Sequence, residues 1–342
     1  MKKIKILYVN PSNKECGIYQ FGMRVYKALE QWLPSWCDWE LAYTENYDKP
    51  FEHIGDVIEH SPDVILYSYH PTATPFADEY MKSPNSDIIH IGITHEQEQI
   101  ILDNPQSVPH NWYGGSLFPY WIGHDPTIMM RRENCFNATR PILRSIWKDR
   151  PEGDDRIVFG NSGFGFRRKM HREITEAIID EFDEAIIRFN MPPSHFGDKN
   201  LAEAKGIAEE CRGIVDKSGK SGIELRVTHT LFETEEEIVD WLYGNDVNIY
   251  FFEQQQVPSQ MRGVSSSPDN ALSTRRPLII NSCSMMKHLN PIFGGYGLDG
   301  NIKQLLDRQM RYKTPLLVYN EWSAERTAGE YYSIIRNILK NK

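Results

Sequence analysis

The segment Gly160–Lys169 (GNSGFGFRRK) combines glycines that follow an apolar run with three cations that follow the glycines. Glycine lets the backbone approach a ligand closely, and arginine and lysine side chains neutralise phosphate charge. Positive charge at the beginning of a helix opposes the helix dipole, so a solvated helix start is the weaker interpretation. The segment therefore predicts a diphosphate site with Arg167, Arg168 and Lys169 as its cations.

Two other glycine- or serine-containing segments have a similar composition. Asn10–Gly22 (NPSNKECGIYQFG) joins an apolar run to a helical pattern, and Gly17 there would let backbone N–H groups reach an anion. In Gly263–Ser284, serines precede Asp269, whose carboxylate could accept hydrogen bonds from ribose hydroxyls. The alternatives stay open: an ordinary strand–helix loop around Gly17, and a helix-capping aspartate without a ligand.

Several common catalytic patterns are missing from the sequence. His95-Glu96 is not followed by the second histidine of a zinc H-E-x-x-H motif, and no two aspartates have D-x-D spacing. The run beginning at Gly160 does not complete G-x-S-x-G, and no Walker lysine follows a G-x-x-x-x-G. We therefore expect no metal held by a D-x-D carboxylate pair.

The composition is that of an ordinary globular protein with an acidic balance. The 342 residues carry a net charge of −9, which argues against binding to nucleic acid or anionic lipid through the overall field. No apolar run approaches the roughly 20 residues of a membrane helix, and MKKIKILYVN is better interpreted as a first strand than as a signal peptide. The five cysteines are scattered, which is typical of reduced thiols. We expect a cytoplasmic protein.

Short apolar runs alternate with helical patterns along the whole chain, which predicts parallel sheets covered by helices. The predicted strands are Ile4–Val9, Val64–Tyr69, Ile88–Thr94, Arg156–Gly160, Glu184–Asn190, Ile223–Thr228, Val247–Phe252 and Pro277–Asn281. Helices are predicted between the first two strands, after the glycine-rich turn, over Thr234–Tyr243 with a Thr234/Glu237 capping box, from Asp269 to Ser273, and over Ser323–Leu339.

The charged stretch Trp147–Asp155 is the clearest linker. We therefore predict an α/β protein of two doubly wound, Rossmann-like domains over residues 1–150 and 151–320, followed by a helix over 321–342 that crosses back to the first domain. Ligands of such sheets bind beyond the carboxyl ends of the strands, so a cleft between the domains is the expected site.

These motifs, in this order, resemble the GT-B fold glycosyltransferases, and most closely their GT4-like group. Cys16-Gly17-Ile18-Tyr19 is similar to the family's acceptor-side glycine loop, and Gly163-Phe164-Gly165-Phe166 with Lys169 resembles its donor-diphosphate turn. The run from Ser265 to Pro277, with Ala271–Ile280 (ALSTRRPLII), looks like its donor helix and the strand after it, and Trp322–Thr327 is similar to its crossing segment.

The resemblance implies transfer of a sugar from a nucleotide-diphosphate sugar to an acceptor, with retention at the anomeric carbon, closure of the domains and no obligatory metal or other cofactor. It assigns catalytic roles to His95, Arg168 and Lys169 and an acceptor-side role to Cys16, Gly17 and Tyr19. It also assigns donor binding to Gly163, Gly165, Ser265, Ser266, Ser267 and Asp269. His70 and His124 are weaker candidates of the same type as His95.

The chain departs from the family at its E-x7-E pair, which falls on Met261 and Asp269. Glu253 could replace the first carboxylate only if its loop folds back. Two other functions therefore stay open: a catalytically silent nucleotide- or glycan-binding protein, and a sugar-nucleotide epimerase of the same fold.

The acceptor could be a glycan, a lipid-linked saccharide or a modified nucleobase. Acidity argues against nucleic acid, and Arg131, Arg132, Arg140 and Arg144 are better interpreted as a solvated face than as a basic groove. The aromatic-rich loops around 69–78 and 95–126 suit sugar rings, a core or a partner surface; their aromatic residues include Trp112, Tyr113, Phe118, Tyr120 and Trp121.

Overall fold

The computed structural model describes residues 3–12, 17–45, 50–70, 73–82, 84–95, 118–151, 153–194, 197–254 and 265–341. The chain forms two compact units. The first comprises Met1–Pro141, Val257–Ser266 and Trp322–Lys342, and the second comprises Ile142–Gln256 and Ser267–Glu321.

The chain first changes unit after Pro141, whereas the sequence analysis placed this limit at residue 150. The residues in between are attached to the second unit by hydrogen bonds. Ser145 Oγ donates to the Ser273 carbonyl over 2.6 Å, and Arg150 forms an ion pair with Asp246. The charged composition of the stretch thus reflects contacts within the second unit.

The first unit is built on a parallel sheet of six strands in the order β2-β1-β3-β4-β5-β6. The strands are β1 Lys5–Asn10, β2 Glu40–Glu45, β3 Val64–Tyr69, β4 Ile89–Thr94, β5 Tyr120–Gly123 and β6 Cys135–Asn137. The helices that follow in sequence are α1 Gly17–Trp32, α2 Pro50–His60 and α3 Phe76–Tyr80.

The second unit contains another parallel six-stranded sheet, in the order β12-β11-β10-β7-β8-β9. Its strands are β7 Val158–Ser162, β8 Glu184–Asn190, β9 Gly222–Thr228, β10 Val247–Tyr250, β11 Leu278–Asn281 and β12 Gly295–Tyr296. Its helices are α4 His171–Glu181, α5 Ala202–Ser218, α6 Glu235–Leu242, α7 Ser267–Ser273, α8 Asn290–Phe293, α9 Ile302–Tyr312 and α10 Thr314–Glu321.

The last helix, α11 over Ala324–Asn341, completes the core of the first unit. It packs on α1, and its buried Tyr331 and Ile335 join Phe21 and Leu29 of α1 in one apolar cluster. Each helix has one apolar stripe, and each needs the other to cover it. None of the helices in the described ranges is long and apolar enough to cross a bilayer.

The predicted α/β class and the two parallel sheets are confirmed. Predicted strands over Val64–Tyr69 and Glu184–Asn190 have the observed limits, and the Thr234/Glu237 capping box is present. The prediction ended β7 at Gly160, but the strand continues to Ser162 because Asn161 and Ser162 pair with β8. The prediction also omitted four of the described strands, β2, β5, β6 and β12.

Candidate functional site

The backbone after β7 directs a lysine back toward the end of its own strand. Gly163–Phe166 forms the turn, and Arg167–Lys169 forms one turn of 3-10 helix. Met170 then adopts a left-handed conformation with φ of 51°, and α4 begins at His171. This sharp change of direction places Lys169 beside the glycine with which the turn begins.

Gly163 and Ser267 border the Lys169 ammonium. A Cβ atom built on Gly163 would overlap Lys169 Nζ, so only glycine leaves room for the ammonium in this position. Lys169 Nζ donates over 3.5 Å to the Oγ atom of Ser267, the first residue of α7. The carboxyl end of β7 and the beginning of α7 thus meet at one cation.

The surroundings of this ammonium are largely apolar. Lys169 Nζ lies 5.9 Å from the Phe164 ring centroid and 5.6 Å from that of Phe252. Burial, with a smaller contribution from Arg168, lowers the pKa of Lys169 to about 7. In the described part of the chain no carboxylate lies within ion-pair distance of Lys169. An anionic ligand would supply the missing counter-charge, because an opposite charge favours the protonated amine.

The neighbouring arginines diverge. Arg167 forms an ion pair with Glu210 of α5 over 2.6 Å, and its backbone N–H donates to Glu203. Arg168 is exposed, with its guanidinium 5.1 Å from the Phe166 ring centroid. The structure thus leaves Arg168, but not Arg167, available beside Lys169.

The predicted donor-binding residues have different surroundings. Ser265, Ser266 and Ser267 are partly exposed, but of the three only Ser267 hydrogen-bonds to Lys169. Asp269 is fully buried within α7. A Cβ atom on Gly165 would lie 2.6 Å from that of Ala204, so this glycine permits close packing on α5. A ribose role for Asp269 stays a prediction.

The acceptor-side loop is described in part, because Cys16 lies outside the described residues. Gly17 is the first residue of α1, and a Cβ atom there would lie 2.7 Å from Ser266 Oγ in the same unit. Tyr19 donates from its hydroxyl to Glu45 over 3.3 Å, and its carbonyl accepts from Asn10 Nδ2. Gly17 therefore allows a close approach, and Tyr19 contacts residues at the ends of β1 and β2.

His95 directly follows β4, at the carboxyl end of the first sheet. Its Nε2 atom lies 3.1 Å from Ser68 Oγ at the end of β3, and its ring meets the edge of Phe21 at 5.2 Å. Burial, followed by the nearby His70, Arg140 and His124, lowers the pKa of His95 well below its usual value. His95 is therefore a neutral imidazole at pH 7 that can exchange hydrogen bonds with hydroxyl groups.

His124 has a structural environment in the same cluster. It is fully buried, its Nε2 atom lies 2.8 Å from the Tyr331 hydroxyl, and its Nδ1 atom lies 3.1 Å from the Thr139 carbonyl. Burial lowers the pKa of His124 to about 3. Arg140 is also buried, with its guanidinium 4.4 Å from the Phe21 ring centroid, so the predicted solvated face does not include it.

The aromatic residues of the predicted acceptor loops divide into three groups, and Tyr120 by itself is a partly buried residue that packs against the core of the first unit. Phe118 and Trp121 are buried and pack edge to face at 5.0 Å, so these two belong to the core. Trp112 and Tyr113 lie outside the described residues, as does Met261. In the described ranges there is no group of three or more histidine, cysteine or acidic side chains arranged to hold a metal ion.

Two residues next to Lys169 were not predicted from the sequence. Phe252, which follows β10, contributes a ring to the surroundings of the ammonium, and Asn281 at the end of β11 hydrogen-bonds to Phe252. Each of these two residues is the last of a predicted strand. Because ligands of parallel sheets bind at the carboxyl ends of the strands, this position could have identified both as site residues.

Two units, each with a six-stranded parallel sheet and candidate ligand residues at its carboxyl edge, define the GT-B fold of glycosyltransferases. No protein-family model and no curated protein matches the sequence. Solved structures of glycosyltransferases, by contrast, match along nearly the whole chain.

One of these structures is the lipopolysaccharide outer core galactosyltransferase WaaB in its apo form, with 11% identity, a TM-score of 0.62, and coverage of 98% of this chain and 99% of that one. An alpha-glucosyltransferase (AGT) in complex with UDP has 9% identity and a TM-score of 0.59, with 98% and 100% covered. Anabaena Alr3699/HepE in complex with UDP has 11% identity and a TM-score of 0.55, with 99% and 100% covered. At these identities the likeness establishes the fold.

Proposed function

We propose that this protein is a glycosyltransferase that transfers a sugar from a nucleotide-diphosphate sugar, with UDP as the carrier, to an acceptor hydroxyl. The observation that carries the proposal is the Lys169 ammonium, held between Gly163 and Ser267 without a carboxylate partner in the described residues. Support for the carrier comes from the neighbours AGT and HepE, whose structures contain UDP.

The chemistry of sugar transfer matches this arrangement. Cleavage of the bond between the sugar and the diphosphate leaves negative charge on the departing phosphate, which preorganised cations stabilise. In this proposal Lys169 binds that phosphate directly and Arg168 approaches it from the exposed side. Ser267 contributes its hydroxyl. On the first unit, neutral His95 would hydrogen-bond a hydroxyl of the transferred sugar.

The finer features of the reaction come from the family resemblance. We propose retention at the anomeric carbon and catalysis without an obligatory metal. Proton NMR of the first product formed distinguishes retention from inversion, because α and β anomers have different couplings. Turnover that persists in EDTA supports the metal-independent reaction, and turnover restored only by a divalent cation contradicts it.

Two of the structural neighbours indicate the acceptor classes to test. Among the neighbours, WaaB is named for the lipopolysaccharide outer core, and an alpha-glucosyltransferase has been solved with UDP and DNA containing an HMU base. A glycan and a modified base are therefore both acceptors to test. Incubation with a labelled UDP-sugar and each acceptor class gives a labelled product only for the correct class.

The decisive experiment is calorimetric titration of the protein with UDP. Wild-type protein should bind, and Lys169→Ala should weaken binding by about 10- to 100-fold, since a charge-assisted contact contributes about 1.5–3 kcal/mol. Affinity should also fall as pH rises above about 7, because the free amine loses its proton there. Lys169→Arg, which keeps its charge, should lose this pH dependence, so it controls for titration of UDP itself.

Arg167→Ala is the matched control for Arg168→Ala. Both variants remove an arginine of the same 3-10 turn, but Arg167 is paired with Glu210. We expect weaker UDP binding only for Arg168→Ala. Absence of UDP binding by the wild type, or equal binding by Lys169→Ala, would contradict the proposal, and UDP binding without sugar transfer or hydrolysis would favour the catalytically silent protein.

A further inference from the structure

The side chain of Asn281, at the end of β11, continues the pairing of β10 with β11 beyond the end of β10. Backbone pairing of these strands ends at Tyr250 and Ile280. Asn281 Oδ1 then accepts from the Phe252 N–H over 2.9 Å, and Asn281 Nδ2 donates to the Phe252 carbonyl over 2.8 Å. One amide therefore satisfies both backbone groups of Phe252, as a neighbouring strand would.

Further hydrogen bonds hold the residues after Phe252. The backbone N–H of Glu253 donates to the Arg168 carbonyl over 2.8 Å. On the side of β11, the backbone N–H of Ser284 donates to Gln254 Oε1 over 3.1 Å. Phe252–Gln254, which we term the β10 extension, is thus fixed between the cationic turn and the end of β11.

This arrangement bears on the candidate donor site through the Phe252 ring. The ring is buried, and its centroid lies 5.6 Å from Lys169 Nζ. Two contacts of the β10 extension therefore involve the site cations: its ring meets Lys169, and its backbone holds the carbonyl of Arg168. Without Asn281, Phe252 would lose both backbone partners at the point where the strand has already ended.

We propose that Asn281 is a positioning residue of the donor site, which holds the β10 extension so that Phe252 shields the Lys169 ammonium and Arg168 stays in place. The consequence for UDP affinity rests on the proposed function, whereas the consequence for Lys169 itself does not. Asn281 acts through Phe252 and needs no contact with the donor.

The chain contains a matched control at the other end of the same strand. Gln309 of α9 is buried, accepts from the Leu278 N–H over 2.9 Å and donates to the Leu278 carbonyl over 2.8 Å. Gln309 thus makes with Leu278, the first residue of β11, the same pair of hydrogen bonds that Asn281, the last residue of β11, makes with Phe252. Leucine at position 281 removes the two backbone contacts with Phe252 and a 3.7 Å contact between Asn281 Nδ2 and Met170 Sδ. Leucine at position 309 removes the two contacts with Leu278 and a 3.4 Å contact with the Phe293 carbonyl, so only the Asn281 change involves the donor site.

The experiment compares Asn281→Leu, Gln309→Leu and wild type by NMR of protein whose lysines carry 13C-methyl groups. The signal that Lys169→Arg abolishes belongs to Lys169, and its pH titration gives the pKa. Within the described residues, the charged and titratable neighbours of Lys169 are Arg168 and His171, both on its own segment. Neither substitution replaces these two residues, so a rise in the pKa of Lys169 reports exposure to water or displacement of Arg168, the two changes that loss of the β10 extension would cause.

We expect both variants to lower Tm, but only Asn281→Leu to raise the pKa of Lys169 toward its usual range and to weaken UDP binding by about tenfold or more. Asn281→Ser, too short to reach both groups of Phe252, serves if the leucine variant does not fold. An unchanged Lys169 pKa in the Asn281 variant, or an equal rise in Gln309→Leu, would overturn the proposal. A selective rise in a protein that does not bind UDP would uphold the positioning role and reject the proposed function.

Discussion

The carboxyl ends of the two sheets hold their polar side chains in opposite ways. In the first unit, His95 is hydrogen-bonded to Ser68, and His124 to Tyr331 and the Thr139 carbonyl, with both imidazoles held neutral by burial. In the second unit, Lys169 has one long hydroxyl contact and, in the described residues, no carboxylate partner.

This difference shows that one sheet topology supports two kinds of site. A neutral imidazole that is already hydrogen-bonded can bind a hydroxyl group, because one neutral hydrogen bond then replaces another and no charge has to be buried. A partly dehydrated ammonium binds an anion, because burial makes an unpaired positive charge costly and the ligand supplies the opposite charge. The fold therefore provides the edge, and the residues after each strand determine its chemistry.

The largest expected effect concerns the neutral histidines of the first unit. An unfolded chain protonates them below about pH 6.5, whereas the folded chain resists, with a pKa of about 3 for His124. The unfolded state then binds more protons, so stability falls as pH falls. His124 alone should lower the free energy of unfolding by about 1.4 kcal/mol per pH unit between pH 6 and 5, and His95, whose pKa is also lowered, should add to this fall. Urea unfolding across this range measures the slope.

Two variants separate the imidazole from its hydrogen bond in that experiment. His124→Phe should destabilise the protein at pH 7 but remove about 1.4 kcal/mol per pH unit from the slope. Tyr331→Phe loses the same 2.8 Å hydrogen bond and keeps the imidazole, so its slope should stay that of the wild type. Equal slopes in all three proteins would show that His124 does not resist protonation and would remove the contrast with Lys169.

The next largest effect is expected for Gly163→Ala in the second unit. The new methyl group would occupy the space of the Lys169 ammonium, and the flexible lysine can move away without strain on the backbone. We therefore expect a small change in Tm but a loss of about 100-fold in UDP affinity, since the cation would no longer be in place.

Gly213→Ala is the matched control for this change. Gly213 lies within α5, and a Cβ atom there would meet no atom within 4 Å. It should bind UDP as the wild type does, with a slight gain in helix stability. Wild-type affinity in Gly163→Ala would mean that the position of the ammonium beside this glycine does not matter for the ligand.

Much of this contrast could be predicted from the sequence, because its signals are local. The continuous apolar run of Glu184–Asn190 gives a buried strand with the observed limits, and glycines followed by cations identify the turn that holds Lys169. By contrast, β2 (Glu40–Glu45, ELAYTE) was not predicted, because it begins and ends with charged residues. It lies at the edge of the sheet, where a strand needs less apolar surface.

The remaining features depend on residues distant in sequence. Arg167 and Arg168 are equivalent in sequence, and only Glu210 on α5 distinguishes them. His124 becomes a structural residue through Tyr331, on the last helix. Such pairs follow from how helices and strands pack, and no local pattern records them.

The smallest effects are expected for a pair of serines, one at each sheet edge. Ser267 Oγ lies 3.5 Å from Lys169 Nζ, and Ser68 Oγ lies 3.1 Å from His95 Nε2. A contact at the 3.5 Å limit of a hydrogen bond is weak even when its donor is charged, so Ser267→Ala should weaken UDP binding by roughly 2- to 10-fold. Ser68→Ala should lower the free energy of unfolding by about 1 kcal/mol and leave UDP binding unchanged. Calorimetry and urea unfolding of both variants measure these changes, and the same change thus tests binding in one unit and stability in the other.

If Ser68→Ala also weakened UDP binding, the neutral edge of the first unit would take part in holding the anion, and the chemical separation between the two edges would be wrong.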